Sequence, residues 1–222
     1  MARSRRTAQT AVLSLALTLS GLSLAPAVAR NDAGPAHPRH GGDHYTTRTA
    51  TSRGTGGAVT SVDPEASKIG LEVLRRGGNA ADAIISMAAG LGVTEPYSSG
   101  IGGGGYLVYY NAKHHRISTI DGRETAPATM PHDAFIDPKT GKPYNFTPEL
   151  VTSGVSVGTP GTPATWALAL RKWGTIGFAR ALEPATRLAE RGFVVDHTFH
   201  QQTVENKARF SAFNSTRKLY LP

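Results

Sequence analysis

Residues 121–127 read DGRETAP and directly follow the short β-branched run ISTI at 117–120. The run predicts a core strand, so Arg123 lies on a loop at the end of that strand, where functional side chains are often found. A guanidinium there offers a planar fork of donors that can bind a carboxylate. It can equally form a structural ion pair with Asp121, Glu124 or another acid. The residues alone leave both interpretations open.

A glycine-rich loop, SSGIGGGG at 98–105, precedes this hairpin and leads into its first predicted strand, YLVYY at 106–110. Its glycines match the spacing of a dinucleotide-binding loop, but that motif requires a strand before the glycines and a helix after them. Here the order is reversed, which argues against nucleotide binding. The glycines instead predict a backbone that closely approaches a helix or a ligand. His114 and His115, in the turn between the strands, are interpreted as solvated.

Upstream, GAVTSV at 57–62 predicts a buried strand. Asp63 then caps a helix that ends at the glycines of 77–78. A second helix begins after the cap Asn79. It is apolar on nearly every side as far as residue 91, so we expect it to be buried between other layers.

Downstream, VSVGTPGT at 155–162 predicts a second extended stretch. A helix is expected from about Pro163 to Trp173, and another through residues 182–191 with Pro184 near its start. Beyond Asp196 the pattern is helical at first and then polar.

Residues 1–29 have the three-part order of a secretory signal peptide, with a basic start, an apolar stretch and small residues before the expected cleavage site. An uncleaved anchor is the alternative. Residues 30–55 are poor in large apolar side chains and predict a flexible linker, so the folded part is expected over 56–222. A protein with such a leader is secreted or lies in the periplasm or cell envelope.

Charge and composition exclude several classes of function. The 24 basic and 16 acidic residues give a net charge of +8, and three of the arginines lie in the predicted signal peptide, which leaves +5. These basic residues are scattered, so no nucleic-acid partner is expected. The chain has no cysteine, which excludes thiolate catalysis and cysteine-based metal sites within these residues.

No catalytic group can be assigned within the chain. The linker histidines His37, His40 and His44 have nothing nearby to orient them, so we interpret them as solvated and predict no metal site. The hydroxyl pair Thr46-Thr47 lacks a base and a rigid setting. No nucleophile-elbow pattern and no metalloprotease helix is present.

Five segments, taken in order, resemble the γ-glutamyltransferase family of N-terminal-nucleophile hydrolases. They are GAVTSVD at 57–63, GGNAADA at 77–83, GIGGGG at 100–105, DGRETAP at 121–127 and GTPGT at 158–162.

The resemblance implies an α+β fold, the αββα sandwich of N-terminal-nucleophile hydrolases, which is incomplete in this chain. It implies a precursor that cuts itself into a large and a small subunit, with residues 56–222 as the N-terminal part of the large one. An arginine in the position of Arg123 holds the α-carboxylate of the γ-glutamyl donor, which favours the substrate-binding interpretation. The family's nucleophile is a threonine at the start of the small subunit, expected beyond Pro222. These residues alone should therefore be inactive.

The implied reaction is the cleavage of γ-glutamyl amides such as glutathione through a γ-glutamyl-enzyme ester, which passes to water or to an amino acid or peptide. No cofactor is needed for such acyl transfer. One alternative within the fold is a γ-glutamyltransferase-like acylase or a poly-γ-glutamate-processing enzyme. An alternative of another class is a non-catalytic exported module that binds acidic small molecules.

Overall fold

The computed structural model describes residues 52–221, which lie in a compact unit spanning Thr51–Pro222. Its helices are α1 Pro64–Arg75, α2 Ala80–Thr94, α3 Pro96–Ser99, α4 Thr162–Trp173, α5 Phe178–Arg191, α6 His197–Glu205, α7 Lys207–Ser211 and α8 Asn214–Tyr220, and its strands are β1 Gly105–Asn111 and β2 Arg116–Gly122.

Several predictions fall outside this part of the chain. The signal peptide, the linker histidines and Thr46-Thr47 all lie within residues 1–51. Of the predicted linker only residues 52–55 are described, and they are exposed and without regular structure. The domain boundaries at 29 and 55 therefore stay predictions.

Helix α1 begins and ends as its sequence predicts. The Asp63 carboxylate accepts a hydrogen bond from the Ala66 amide at 2.9 Å and so caps the first turn. Ala66, Ile69 and Val73 form its buried face. The chain leaves the helix at Gly77, whose φ of 87° lies in the left-handed region that glycine adopts without strain.

Helix α2 packs between α1 and α5, but it is not covered on every side. Its N-terminus carries the predicted cap, in which Asn79 and Asp82 exchange hydrogen bonds with each other's backbone amides. Glycine allows a close approach to α1, since a Cβ on Gly90 would lie 2.9 Å from the Ile69 side chain. Ile84 remains 45% exposed. The predicted burial of α2 between other layers is therefore only partial within the described residues, because none of their elements covers this face.

The two strands form the predicted antiparallel hairpin, with Leu107 opposite Ile120 and Tyr106 opposite Asp121. Ile120 is buried in a core shared with α2, α4 and α5, and on β1 the ring of Tyr109 stacks on Trp173 with centroids 4.5 Å apart. Alternate residues of β1 face away from this core: Tyr106, Val108 and Tyr110 are exposed. The hairpin thus has one packed face and one open apolar face.

Two predicted extended segments form no strand in the described residues. Residues 57–62 pair with no described strand, and Val62 is 80% exposed. Residues 155–162 contain the end of a short 3₁₀ turn, Gly154–Ser156, and a single bridge between Thr159 and Thr125. A β-branched run becomes a strand only where a neighbouring strand satisfies its backbone, and the run itself does not supply that partner.

Helices α4 to α6 match the prediction except at the start of α5, whereas α7 and α8 lie in the polar stretch for which the sequence predicted no element. Helix α4 ends at Gly174 as expected. Helix α5 starts earlier than predicted, at Phe178, and Pro184 lies inside it. Its buried face of Ala181, Ala185 and Leu188 continues across the proline, and packing of that face outweighs the one hydrogen bond that proline removes. Within residues 52–221 no helix combines the length and the apolar character needed to cross a membrane.

Candidate functional site

Arg123 lies on the tight turn that leaves β2. Its backbone amide donates a hydrogen bond to the Asp121 carboxylate at 3.0 Å, which fixes the turn. Its side chain is 58% exposed and forms one ion pair, with the neighbouring Glu124 at 3.4 Å. The predicted structural ion pair therefore exists, but it is long and its arginine side is exposed, and such pairs stabilise proteins little. The guanidinium keeps donors available for a ligand.

The glycine loop packs against the backbone of this turn. A Cβ on Gly104 would lie 2.9 Å from the Arg123 Cα and 2.9 Å from the Glu124 amide nitrogen, and closer still to the Gly122 carbonyl. No side chain fits at these distances. The close approach predicted from the glycines is therefore to the turn that carries Arg123.

A third segment, GTPGT at 158–162, completes the enclosure. The Gly103 carbonyl accepts hydrogen bonds from the amides of Gly161 and Thr162, both at 3.1 Å, and from the Thr162 hydroxyl at 2.9 Å. A Cβ on Gly161 would collide with the Gly122 carbonyl. Three of the five segments that carried the resemblance thus meet around one turn, and their shared contact is the backbone of residues 122–124.

Two open cavities meet at Arg123. The larger, of about 920 Å³, is a cleft between α2 and β1, with Arg123, Glu124 and Thr162 at its wall. The smaller, of about 550 Å³, lies between residues 123–127 and the apolar side chains of Met130 and Phe135. The arrangement can bind a small molecule whose carboxylate meets the guanidinium and whose remainder extends into a cleft.

Glu124 is a site residue that sequence reasoning named only as an ion-pair partner. Its Oε2 atom is buried and makes no hydrogen bond, and a Cβ on Gly103 would lie 3.3 Å from its Oε1. The carboxylate is thus wedged between the glycine loop and Arg123, where it limits the positions that the guanidinium can take. The sequence signal was its adjacency to Arg123, but its burial required the folded loop.

The segment at 77–83 has a structural role. Asp82 is fully buried and accepts hydrogen bonds from the amides of Asn79, Thr175 and Ile176 and from the Thr175 hydroxyl at 2.6 Å. Burial by itself would raise the pKa of the Asp82 carboxyl, but these hydrogen bonds together outweigh it and leave the pKa below its usual value. Asp82 ties α2 to the α4–α5 connection.

Across residues 52–221 no three His, Cys, Asp or Glu side chains are grouped so that they could hold a metal ion. His114 and His115 are exposed in the hairpin turn, as predicted.

Comparison with known proteins identifies the class of fold. A solved structure of the Helicobacter pylori γ-glutamyltranspeptidase is similar with a TM-score of 0.69 and 33% identity, covering 76% of this chain and 47% of that one. The described residues thus form part of an N-terminal-nucleophile hydrolase fold, as the resemblance implied.

The family model for gamma-glutamyltranspeptidase matches residues 66–222. The chain belongs to the γ-glutamyltranspeptidase family. It is 40% identical over 169 residues to the glutathione hydrolase proenzyme of Bacillus subtilis, which covers 76% of this chain and 28% of that protein. It is also 33% identical over 181 residues to the acylase ACY 1 proenzyme of a Pseudomonas species, with 80% and 32% covered. The chain therefore spans less than a third of these relatives.

Proposed function

We propose that residues 56–222 belong to the large subunit of an exported γ-glutamyltransferase or glutathione hydrolase precursor and that Arg123 binds the α-carboxylate of its γ-glutamyl donor. The observation that carries this proposal is the enclosed turn: three separate segments fix the backbone of Arg123 while its guanidinium stays half exposed between two cavities. An arginine with a purely structural role would use its guanidinium donors in contacts within the protein, whereas most of those of Arg123 remain available.

The proposed chemistry is acyl transfer at the γ-carboxamide. The hydroxyl of a threonine outside these 222 residues attacks the γ-carbonyl carbon, the C–N bond breaks, and the amine leaves with the proton from the hydroxyl. Self-cleavage of the precursor frees the amine of that threonine, which serves as the base. Water or an amino acid then attacks the ester and releases glutamate or a new γ-glutamyl compound. No cofactor takes part.

Arg123 contributes to this chemistry by binding and orientation. A carboxylate held by two parallel N–H···O bonds has a fixed direction, so the γ-carbonyl, at the other end of a short carbon chain, is presented at a fixed place. The expected effect of Arg123 is therefore mainly on donor affinity.

Replacement of Arg123 in the complete protein tests this role. Arg123→Ala should weaken kcat/KM for a γ-glutamyl donor by about 30-fold or more, mainly through KM, since a lost charged partner typically costs about 2 kcal/mol or more. Arg123→Lys should recover only part of the loss, because an ammonium lacks the planar fork. Self-cleavage should persist in both variants. Arg171→Ala, on an exposed part of α4, is the matched control. Unchanged donor kinetics in Arg123→Ala would remove Arg123 from the site.

Export by a signal peptide cleaved after residue 29 is part of the proposal. N-terminal sequencing of the mature protein from its native source should begin at Arg30, in the secreted, periplasmic or envelope fraction. A mature protein that still begins at residue 1 or 2 would support the uncleaved anchor.

The second candidate is an acylase or a poly-γ-glutamate-processing enzyme of the same fold. The similarity to the acylase ACY 1 proenzyme supports this candidate. Initial rates with γ-glutamyl-p-nitroanilide, poly-γ-glutamate and an acyl amide that lacks the α-amino and α-carboxyl groups separate these activities. A higher kcat/KM for either of the last two would select the second candidate. A stop codon directly after Pro222 in the coding DNA would favour the non-catalytic binding module instead.

A further inference from the structure

A further cavity, distinct from the two that meet at Arg123, lies on α2 and combines an apolar wall with a buried acid. This cavity, called the Glu95 pocket below, is an open space of about 590 Å³ whose lining includes Val62, Ile84, Leu91, Glu95 and Asp196. Val62 is 80% exposed and Ile84 45% exposed, so the apolar wall has no cover in the described part of the chain.

Glu95 is the unexplained group in this pocket. It is 7% exposed, and its backbone carbonyl accepts hydrogen bonds from the amides of Ser98 and Ser99 at 3.1 and 2.8 Å. Its carboxylate takes part in none of the side-chain hydrogen bonds or ion pairs found within residues 52–221. A glutamate with so little exposed surface is normally paired or hydrogen-bonded, because even partial transfer of a charge out of water is costly.

The charges that bear on Glu95 in the described residues are both negative. They belong to Asp196 and Asp63, and burial followed by these two carboxylates raises the pKa of Glu95 above its usual value. The two aspartates have roles of their own, because each caps a helix: Asp63 accepts from the Ala66 amide at 2.9 Å and Asp196 from the Phe199 amide at 2.8 Å. Glu95 caps nothing with its side chain.

This arrangement fits one kind of occupant. The chain has 24 basic and 16 acidic residues, yet the ion pairs of the described residues use Glu65, Glu72, Glu124 and Glu183 and leave the Glu95 pocket without a cation. The described acids do not form a metal-binding group. A lysine or arginine side chain matches both parts of the pocket, since its aliphatic stem packs on apolar surface while its head carries the charge.

We propose that the Glu95 pocket receives a lysine or arginine side chain from the part of the precursor outside these 222 residues, which pairs with Glu95 while its stem covers Ile84 and Leu91. The proposal rests on the proposed function in one respect, which is that it requires a longer precursor. This chain spans less than a third of the length of its proenzyme relatives. It assigns Glu95 to the assembly of the protein and gives it no part in catalysis.

Thermal unfolding of the complete protein tests the pair. If Glu95 is paired, Glu95→Gln strands a buried cation, and Tm at about pH 7.5 should fall by about 2 °C or more. If the carboxylate is unpaired, the same change removes a desolvation cost, and Tm should stay equal or rise. Glu190→Gln, on the exposed side of α5, is the matched control and should leave Tm unchanged.

The pH dependence separates charge pairing from loss of packing. If Glu95 is paired in the complete protein, its pKa in the folded state lies below its pKa in the unfolded state. Its contribution to stability is then complete above the unfolded-state pKa and is lost as the pH falls through the folded-state pKa. The Tm difference between the parent and Glu95→Gln should therefore shrink between about pH 7.5 and about pH 4. A difference that is equal at both pH values, or that grows on acidification, overturns the proposal.

Failure of Glu95→Gln to fold is also informative when Glu95→Asp is made beside it. A folded Glu95→Asp protein would then show that the charge is what the position requires. Glutamine keeps the shape of glutamate and aspartate keeps only its charge, so a Glu95→Gln protein that folds where Glu95→Asp fails would show that the position requires shape and would overturn the pair. These outcomes are independent of γ-glutamyl turnover, so loss of the proposed activity leaves them readable. Absence of coding sequence beyond Pro222 would remove both proposals before any variant is made.

Discussion

The turn at Arg123 shows how single residues build the site. Gly104 and Gly161 lie against the same backbone, and neither position has room for a Cβ. Sequence reasoning predicted that the glycines approach something closely and that Arg123 follows a strand, because both are local properties. It could not name the contact between them, because that contact exists only in the folded loop. The same loop is held from further along the chain, where the Thr162 hydroxyl donates a hydrogen bond to the Gly103 carbonyl across 59 positions.

Gly104→Ala should disrupt the Arg123 turn, whereas Gly102→Ala should not. A Cβ at 104 meets backbone atoms that cannot rotate away, at a cost of about 2 kcal/mol, while a Cβ at 102 meets nothing within 4 Å. In the complete protein, Gly104→Ala should lower Tm and raise the donor KM. Equal behaviour of the two variants in both measurements would show that the turn is not held by this contact.

At the scale of elements, local signals and long-range packing were predictable to different degrees. The caps at Asp63 and Asn79 act within three residues, so their sequence pattern was sufficient. The predicted strand at 57–62 and the predicted start of α5 were wrong because pairing and packing with distant segments decide them. Glu95 was missed for the same reason, since a glutamate before a proline is unremarkable until burial is known.

Asp82 provides a prediction about the joint between α2 and the α4–α5 connection. Asp82→Ala should cost about 3 kcal/mol or more, because it leaves several buried donors without an acceptor. Asp133→Ala, at an exposed loop position, is the control and should cost little.

Acid should remove the stabilisation of the folded protein that Asp82 provides. Its pKa is lowered in the folded state, so the unfolded chain binds a proton first, and the stability is present above the unfolded pKa and lost as the pH falls through the folded one. Denaturant unfolding at several pH values should show the gap between the parent and Asp82→Asn closing below about pH 4. A gap that persists at the acid end would mean that the charge of Asp82 is not what stabilises the joint.

At the scale of the whole molecule, the open hairpin face is the main feature. Tyr106, Val108 and Ile117 are exposed, together with Ile84 on α2. Apolar surface of this kind in a soluble protein normally faces another layer, and an αββα sandwich has a second sheet to provide one.

Residues 56–222 expressed alone should therefore bind an apolar dye such as ANS and associate at micromolar concentration, while the complete protein should do neither. Replacement of Val108 and Ile117 by threonine should reduce both effects in the fragment. Dye fluorescence and sedimentation velocity measure them, and a monomeric fragment that binds no dye would show that this face needs no second layer.

The central claim, that Arg123 binds the α-carboxylate of a γ-glutamyl donor, is tested most directly by pairing a change in the protein with a change in the substrate. The measurement is kcat/KM of the complete protein and of Arg123→Ala for a γ-glutamyl amide and for the corresponding γ-aminobutyryl amide, which has the same carbon chain without the α-carboxylate. We predict that the parent prefers the γ-glutamyl amide by about 30-fold or more and that Arg123→Ala loses most of this preference. An undiminished preference in Arg123→Ala would contradict the claim.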